Sequence, residues 1–232
     1  MVVTKHSIEE LVSDSEKIPS FESRLRHNIL KMPSEIRKAS GIMVNGRRIR
    51  SLLYSTDVAL IHNCDADAIF AVYPFTAHRS ISSSIIRLAS MPVFCGVGGG
   101  TTQGVRAVYL ATDAESQGAA GVVLNAPFPN SDMRRIARLV DVPVVITVAS
   151  AKDNVGARIR NGAAIINVAG GAATPDIVAK IRADFPRIPI IASGGKSGET
   201  ISQTIDAGAN AIVYSPPSSA ALFRELMDSY RK

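Results

Sequence analysis

The sequence predicts an α/β fold, a (β/α)8 TIM barrel, and three observations carry that prediction. Eight short runs rich in β-branched residues recur from residue 49 onward: Ile49–Ser55, Ala68–Tyr73, Pro92–Val97, Ala120–Asn125, Pro143–Val148, Ala163–Val168, Pro189–Ser193 and Ala209–Ser215. They return about every 20 to 25 residues, the length of a strand plus a crossover helix. A phrase of small residues also recurs, in Gly118-Ala-Ala-Gly121, Gly162-Ala-Ala-Ile165 and Gly208-Ala-Asn-Ala211. In each, glycine can close a helix while the small residues let the next strand start tightly.

Near-continuous apolar runs such as Val144–Val148 fit a parallel sheet buried on both faces. Between the runs lie helical patterns, Asp132–Val140 and Pro175–Arg182 among them. In the second, Ile177, Val178 and Ile181 fall on one helical face. No Gly-x-Gly-x-x-Gly follows the first run, so a closed ring is favoured over an open doubly wound sheet. Residues 1–48 read as an N-terminal extension. Ser20–Ser40 suggests a basic helix interrupted near Pro33, and Ile42–Ile49 a hairpin turning at Asn45-Gly46. The extension is expected to cap the bottom of a barrel formed by residues 49–232, giving one domain overall.

Composition narrows the function classes. Hydrophobic residues make up 46% of the 232 residues and charged residues 20%, a globular balance and not a disordered one. Two cysteines are too few for a disulfide framework, which suits a reducing compartment. Neither a secretory signal nor a run of roughly 18 uncharged apolar residues is visible, so a cytoplasmic protein without a membrane span is expected. The net charge of +6 raises the question of nucleic acid. Its densest run, Arg47-Arg48-Ile49-Arg50, has no interleaved aromatics to stack bases, which argues against a nucleic-acid partner. A mildly basic surface also suits an anionic metabolite. Association into a homo-oligomer is left open.

In a barrel of this kind the site lies on the loops that follow the strands. The seventh run leads into Ser193-Gly-Gly-Lys-Ser-Gly198, the eighth into Ser215-Pro-Pro-Ser-Ser219. Gly194 and Gly195 have no side chains to keep an anion from their amides. Ser215, Ser218 and Ser219 bring hydroxyls and amides where a final helix begins, and a helix N-terminus attracts phosphate. The stretch from Pro189-Ile-Ile-Ala-Ser-Gly-Gly195 to Ile205-Asp-Ala-Gly-Ala-Asn-Ala-Ile212 resembles the phosphate-gripping end of the ribulose-phosphate-binding barrel superfamily. That superfamily includes IMP dehydrogenase-like and histidine-biosynthesis barrels. The likeness covers roughly residues 163–221 and implies Gly194, Gly195, Ser215 and Ser218 as phosphate contacts. It does not extend to a reaction. The loop Val168–Thr174 lacks the cysteine of IMP dehydrogenase-like enzymes, and Thr147–Ser150 lacks the second aspartate of histidine-biosynthesis isomerases.

The remaining candidates follow from position. Asp57, in Ser55-Thr-Asp57, is either a general acid or base or a helix N-cap. Asn125 and Asn167 close the fourth and sixth runs and are expected to face the pocket as polar members of a catalytic set. Tyr73, Thr101, Thr102, Thr147 and Gly170 would line the substrate pocket. Cys95 reads as a buried thiol. No lysine ends a run, which argues against Schiff-base chemistry, and neither the histidines nor the carboxylates are spaced as metal ligands. The expected function is an enzyme acting on a small phosphorylated metabolite, sugar- or ribosyl-phosphate-like, by isomerase-, lyase- or hydrolase-like acid–base chemistry. No cofactor is expected; FMN is the alternative, since its phosphate fits the same grip. The rival class is a sensor that binds a phosphometabolite without turnover.

Overall fold

The computed structural model describes residues 29–195 and 197–231. Eight parallel strands close into a ring: β3 Ser51–Tyr54, β4 Ala68–Ala71, β5 Val93–Gly98, β6 Gly121–Leu124, β7 Val144–Val148, β8 Ile165–Val168, β9 Ile190–Ser193 and β10 Ala211–Tyr214. The ring closes where β10 pairs with both β9 and β3. Helices alternate with the strands: α1 Val58–His62, α2 Arg79–Leu88, α3 Gly104–Ser116, α4 Asn130–Ala137, α5 Val155–Arg160, α6 Thr174–Asp184, α7 Gly198–Asp206 and α8 Ser219–Tyr230. The eight predicted strands are all present, and this is the (β/α)8 barrel that the sequence predicts.

Side-chain alternation explains why the strands read as unbroken apolar runs. Leu52, Phe94, Val123, Val145, Ile165 and Ile191 fill the barrel interior. Their neighbours Leu53, Val122, Ile146, Ile166, Ile190 and Ile212 face outward and pack under the helices. Both faces are buried, so both positions of the two-residue period are apolar. Gly118, Gly162 and Gly208 have φ of +98°, +100° and +110°, the left-handed turn that ends each helix before the next strand.

Ahead of the barrel, β1 Ile42–Val44 and β2 Arg47–Ile49 form the expected hairpin. Asn45 and Gly46 both take positive φ, 49° and 77°, as a two-residue primed turn requires. Ile42, Val44 and Ile49 join the interior cluster, and the Gly41 amide donates to the Asn210 carbonyl at 2.7 Å. The hairpin therefore stoppers the N-terminal end of the ring.

Three boundaries are corrected. Ile49 pairs with Ile42 in the hairpin, so the first barrel strand starts at Ser51. The predicted basic helix Ser20–Ser40 is helical only over a short 3-10 stretch, Ser34–Lys38, among its described residues. Its part up to residue 28 lies outside the described residues. Before Pro33 the backbone makes extended contacts instead: Leu30 bridges to Cys64, and the Met32 amide donates to Asp65 Oδ1 at 2.7 Å. The helix predicted at Asp132–Val140 begins at Asn130, just after Pro129, and ends at Ala137.

Candidate functional site

Strand alternation decides which side chains reach the C-terminal mouth of the ring. Continuing the interior rows past Leu52, Val123, Val145, Ile165, Ile191 and Val213 brings Tyr54, Asn125, Thr147, Asn167, Ser193 and Ser215 to inward-facing positions. Asn125, Thr147, Asn167 and Ser215 were candidates from the sequence. Tyr54 and Ser193 were not, although the same two-residue count from Leu52 and Ile191 reaches them.

Asn167, Thr147 and Asn125 lie on adjacent strands and join in one hydrogen-bonded relay. Asn167 Nδ2 donates to Thr147 Oγ1 at 3.1 Å, and Thr147 Oγ1 donates to Asn125 Oδ1 at 2.8 Å. Asn167 is 4% exposed, and its Oδ1 is buried with no hydrogen-bond partner among the described residues. A lone buried acceptor costs about 1–3 kcal/mol. Asn125 also lines a cavity of about 360 Å³ between the exits of β4, β5 and β6, with Tyr73, Phe75, Thr101 and Thr102. Its Oδ1 is occupied, so the amide's Nδ2 remains to serve the cavity. Tyr73 Oη accepts from the His78 amide at 2.8 Å. Desolvation pushes the Tyr73 phenol above its usual range, so the hydroxyl stays protonated and can donate. Phe75, 79% exposed, supplies an apolar rim.

Across the ring the two expected phosphate segments lie side by side, since Ser193 on β9 pairs with Val213 on β10. Ser197 caps α7 in a reciprocal capping box with Thr200, and Ser218 Oγ accepts from the Ala221 amide at 3.2 Å to cap α8. Gly195 has φ +80° and lies against the Thr200 side chain. Gly194 is held by packing as well: a Cβ there would meet Ile212 Cγ2 at 2.5 Å. Its amide lies 3.4 Å from the Val213 carbonyl, a long bond that leaves it weakly engaged. Ser215 is exposed at the rim. Lys196, the cation of this loop, lies outside the described residues.

Asp57 and Ser219, candidates for different roles, bond to each other. Asp57 Oδ1 accepts from the Ala59 and Leu60 amides at 2.8 and 3.3 Å as the N-cap of α1, while Oδ2 accepts from Ser219 Oγ. The Ser219 hydroxyl, chiefly, then the two amides, hold the carboxyl below its ordinary range against the opposing push of desolvation. Of the two roles expected for Asp57, the structure shows the helix N-cap, and a carboxylate so stabilised is a weaker proton acceptor than a free one. The Ser219 hydroxyl is likewise directed at a carboxylate instead of an incoming phosphate. Because the folded pKa is lowered, this stabilisation is complete above the unfolded value near 3.9 and drains as pH falls through the folded value. Acid-unfolding profiles of wild type and Asp57→Asn should therefore converge below about pH 3.9, with wild type more stable above it; parallel profiles would show that the clasp contributes nothing.

Other candidates are placed elsewhere. A Cβ on Gly170 would meet Ile177 Cδ1 at 2.4 Å, so close approach of α6 to β8 is one reason for a glycine there. Thr102 is buried at the cavity floor and bridges to Gly99, while Thr101 is exposed. Cys95 is fully buried and burial pushes its thiol up to about 12, which leaves it inert. Among the described residues, no three His, Cys, Asp or Glu side chains gather as a metal site, and no helix is long and apolar enough to cross a membrane. A larger hollow of about 840 Å³ opens at the opposite end, beside the hairpin. There Arg182 bonds the carbonyls of Pro186, Ile188 and Gly208 and Asn210 Oδ1, stapling the bottom loops.

The closed ring of eight parallel strands and the helices that alternate with them define the class: a (β/α)8 barrel. Solved structures with this fold include dihydrodipicolinate synthase from Bacillus anthracis, 16% identical with a TM-score of 0.56 over 82% of this chain and 77% of that one. Phosphonopyruvate hydrolase, solved with oxalate and magnesium, is 14% identical with a TM-score of 0.58, covering 79% and 80%. Thiamine phosphate pyrophosphorylase from Pyrococcus furiosus is 15% identical with a TM-score of 0.52, covering 71% and 84%. At these identities the likeness is one of fold. No protein-family model matches the chain, nor does any curated protein sequence.

Proposed function

We propose that the protein is an enzyme acting on a small phosphorylated metabolite whose phosphate sits between the exits of β9 and β10, in the manner of the ribulose-phosphate-binding barrels. The observation that carries this reading is the adjacency of Gly194–Gly195 to Ser215–Ser218 beside the start of the 12-residue helix α8. The rest of the substrate would extend over the mouth toward the cavity at β4–β6. There Asn125 and Tyr73 are neutral donors suited to stabilising negative charge on a substrate oxygen, which supports lyase-, isomerase- or hydrolase-like chemistry. With Asp57 engaged as a cap, this chemistry would rest on preorganised donors more than on a carboxylate base.

That same engaged carboxylate favours a second reading, a sensor that binds the metabolite without converting it. A thermal-shift screen against phosphorylated metabolites tests both. A hit that the protein consumes supports the enzyme, and a hit that it leaves intact supports the sensor. No stabilisation by any phosphate removes both readings, while a yellow purified protein with flavin absorbance redirects the grip to FMN.

A further inference from the structure

The hollow at the N-terminal end of the ring carries an unanswered positive charge. Its volume of about 840 Å³ is that of a small-molecule site. Lys38, Arg182 and Arg187 line it, and its described lining residues include no aspartate or glutamate. Asp141, Asp184 and Asp206 lie close by in sequence, yet none of them lines it, and Asp184 borders a separate hollow beside α5. Arg182 is the hub of this surface. Its guanidinium donates to the Pro186 and Ile188 carbonyls at 2.8 and 2.9 Å, on either side of Arg187, and to Asn210 Oδ1 at 2.7 Å. Asn210 Nδ2 in turn donates at 2.8 Å to the Oγ of Ser40, two residues along the chain from Lys38. Every acceptor of Arg182 is neutral, and desolvation pulls its pKa below the usual value. The described residues therefore satisfy its donors without supplying a counter-ion.

Three features define what would answer that charge. The floor is apolar, since Ile42, Val44 and Ile165 line the hollow as buried members of the interior cluster, and Met43, 66% exposed, gives it an adaptable wall. Ser40 Oγ already accepts from Asn210, and its own proton has no acceptor among the described residues. Helices α6 and α7 end at this face, at Asp184 and Asp206, and the partial negative charge of helix C-termini disfavours a doubly charged phosphate more than a singly charged head. From these features we infer that the hollow is a second binding site, for a small amphiphilic carboxylate. The apolar body lies on the floor, a carboxylate oxygen accepts from Ser40 Oγ, and Lys38, Arg182 and Arg187 supply the attracting field. The site lies at the opposite end of the ring from the mouth, so the inference does not rest on the phosphate reading.

Octanoate is the probe, with octanamide as its neutral analogue and acetate as the head without the body. Titration followed by backbone amide spectra should move the signals of Gly41, Met43 and Ala209 with octanoate and leave those of Gly99, Thr102 and Ser215 in place. Octanamide should bind at least about tenfold more weakly, and acetate should move nothing at the same concentration. Lys38 and Arg187 are exposed and make no hydrogen bond or ion pair among the described residues, so reversing both with Lys38→Glu and Arg187→Glu should keep the fold. That double variant should lose the preference for octanoate while still binding octanamide. Failure of octanoate to bind overturns the inference, as does movement of the mouth signals in place of those at the hairpin. Equal affinity for octanoate and octanamide reduces the hollow to an apolar surface, and equal effects of acetate reduce it to a simple anion site; either result overturns the inference. A preference for octanoate that survives the double reversal overturns it too, because the cations would then play no part.

Discussion

Ser215→Asp is expected to abolish stabilisation by phosphate compounds while leaving the unliganded protein folded. Ser215 is exposed at the inward-facing end of β10, so the change itself should alter stability by no more than about 0.5 kcal/mol. The added carboxylate would face the bound phosphate. Two unit charges about 4 Å apart repel by about 4 kcal/mol at an effective dielectric near 20, roughly a thousandfold in affinity. At about a hundred times Kd, wild type gains about 2.7 kcal/mol from a ligand, roughly 5 to 10 °C in Tm for a chain of this size. The mutant's melting curve with and without glycerol 3-phosphate should superimpose. Ser215→Thr, which adds bulk but no charge, controls for sterics, and a full shift retained in Ser215→Asp would move the anion away from β10. Gly194 is the less informative target, because any side chain there collides with Ile212 whether or not an anion binds.

Phe94→Ala should cost about 3–5 kcal/mol, a loss of roughly 6 to 20 °C in Tm. Phe94 is fully buried in the barrel interior, and its ring occupies the room left by Gly121. A Cβ at residue 121 would lie 2.6 and 2.7 Å from ring atoms Cδ1 and Cε1. Gly121→Ala in wild type should therefore destabilise by overpacking, about 1–3 kcal/mol. Placed on Phe94→Ala, the same methyl should be tolerated or should recover part of the loss. Denaturant unfolding of the two single variants and the double variant measures this coupling; additive losses would show that ring and glycine do not share the space.

The frame of this protein is legible in its residues because a parallel strand with both faces buried must be apolar at every position. The apolar series gives no warning where hairpin meets barrel: Ile49 and Leu52 look alike, and the pairing of Ile49 with Ile42 separates them. The site was legible to the extent that it depends on alternation. Counting by twos along each strand brings Asn125, Thr147 and Asn167 to the mouth, and would have brought Tyr54 and Ser193 too. The relay among the three depends on cross-strand register, which no single strand encodes. Gly170 is ambiguous for a related reason, since a glycine records that something approaches closely, here Ile177, without saying whether a ligand does too. Asp57 and Ser219 are 162 residues apart, and each alone satisfies a familiar local pattern. Only their contact shows that one carboxylate is already committed.

That contact also sets an order of events for the growing chain. As the protein leaves the ribosome, β3 emerges with one edge unpaired, and the partner for that edge, β10, is made only after the other seven strands of the ring. Until then the nascent sheet carries an open side on which another chain could pair. The seam is sealed by the strand pairing and latched from above by Asp57 and Ser219, so a truncated product ending before residue 211 would keep its sticky edge. Clipped or stalled chains of this protein should aggregate where the finished one does not.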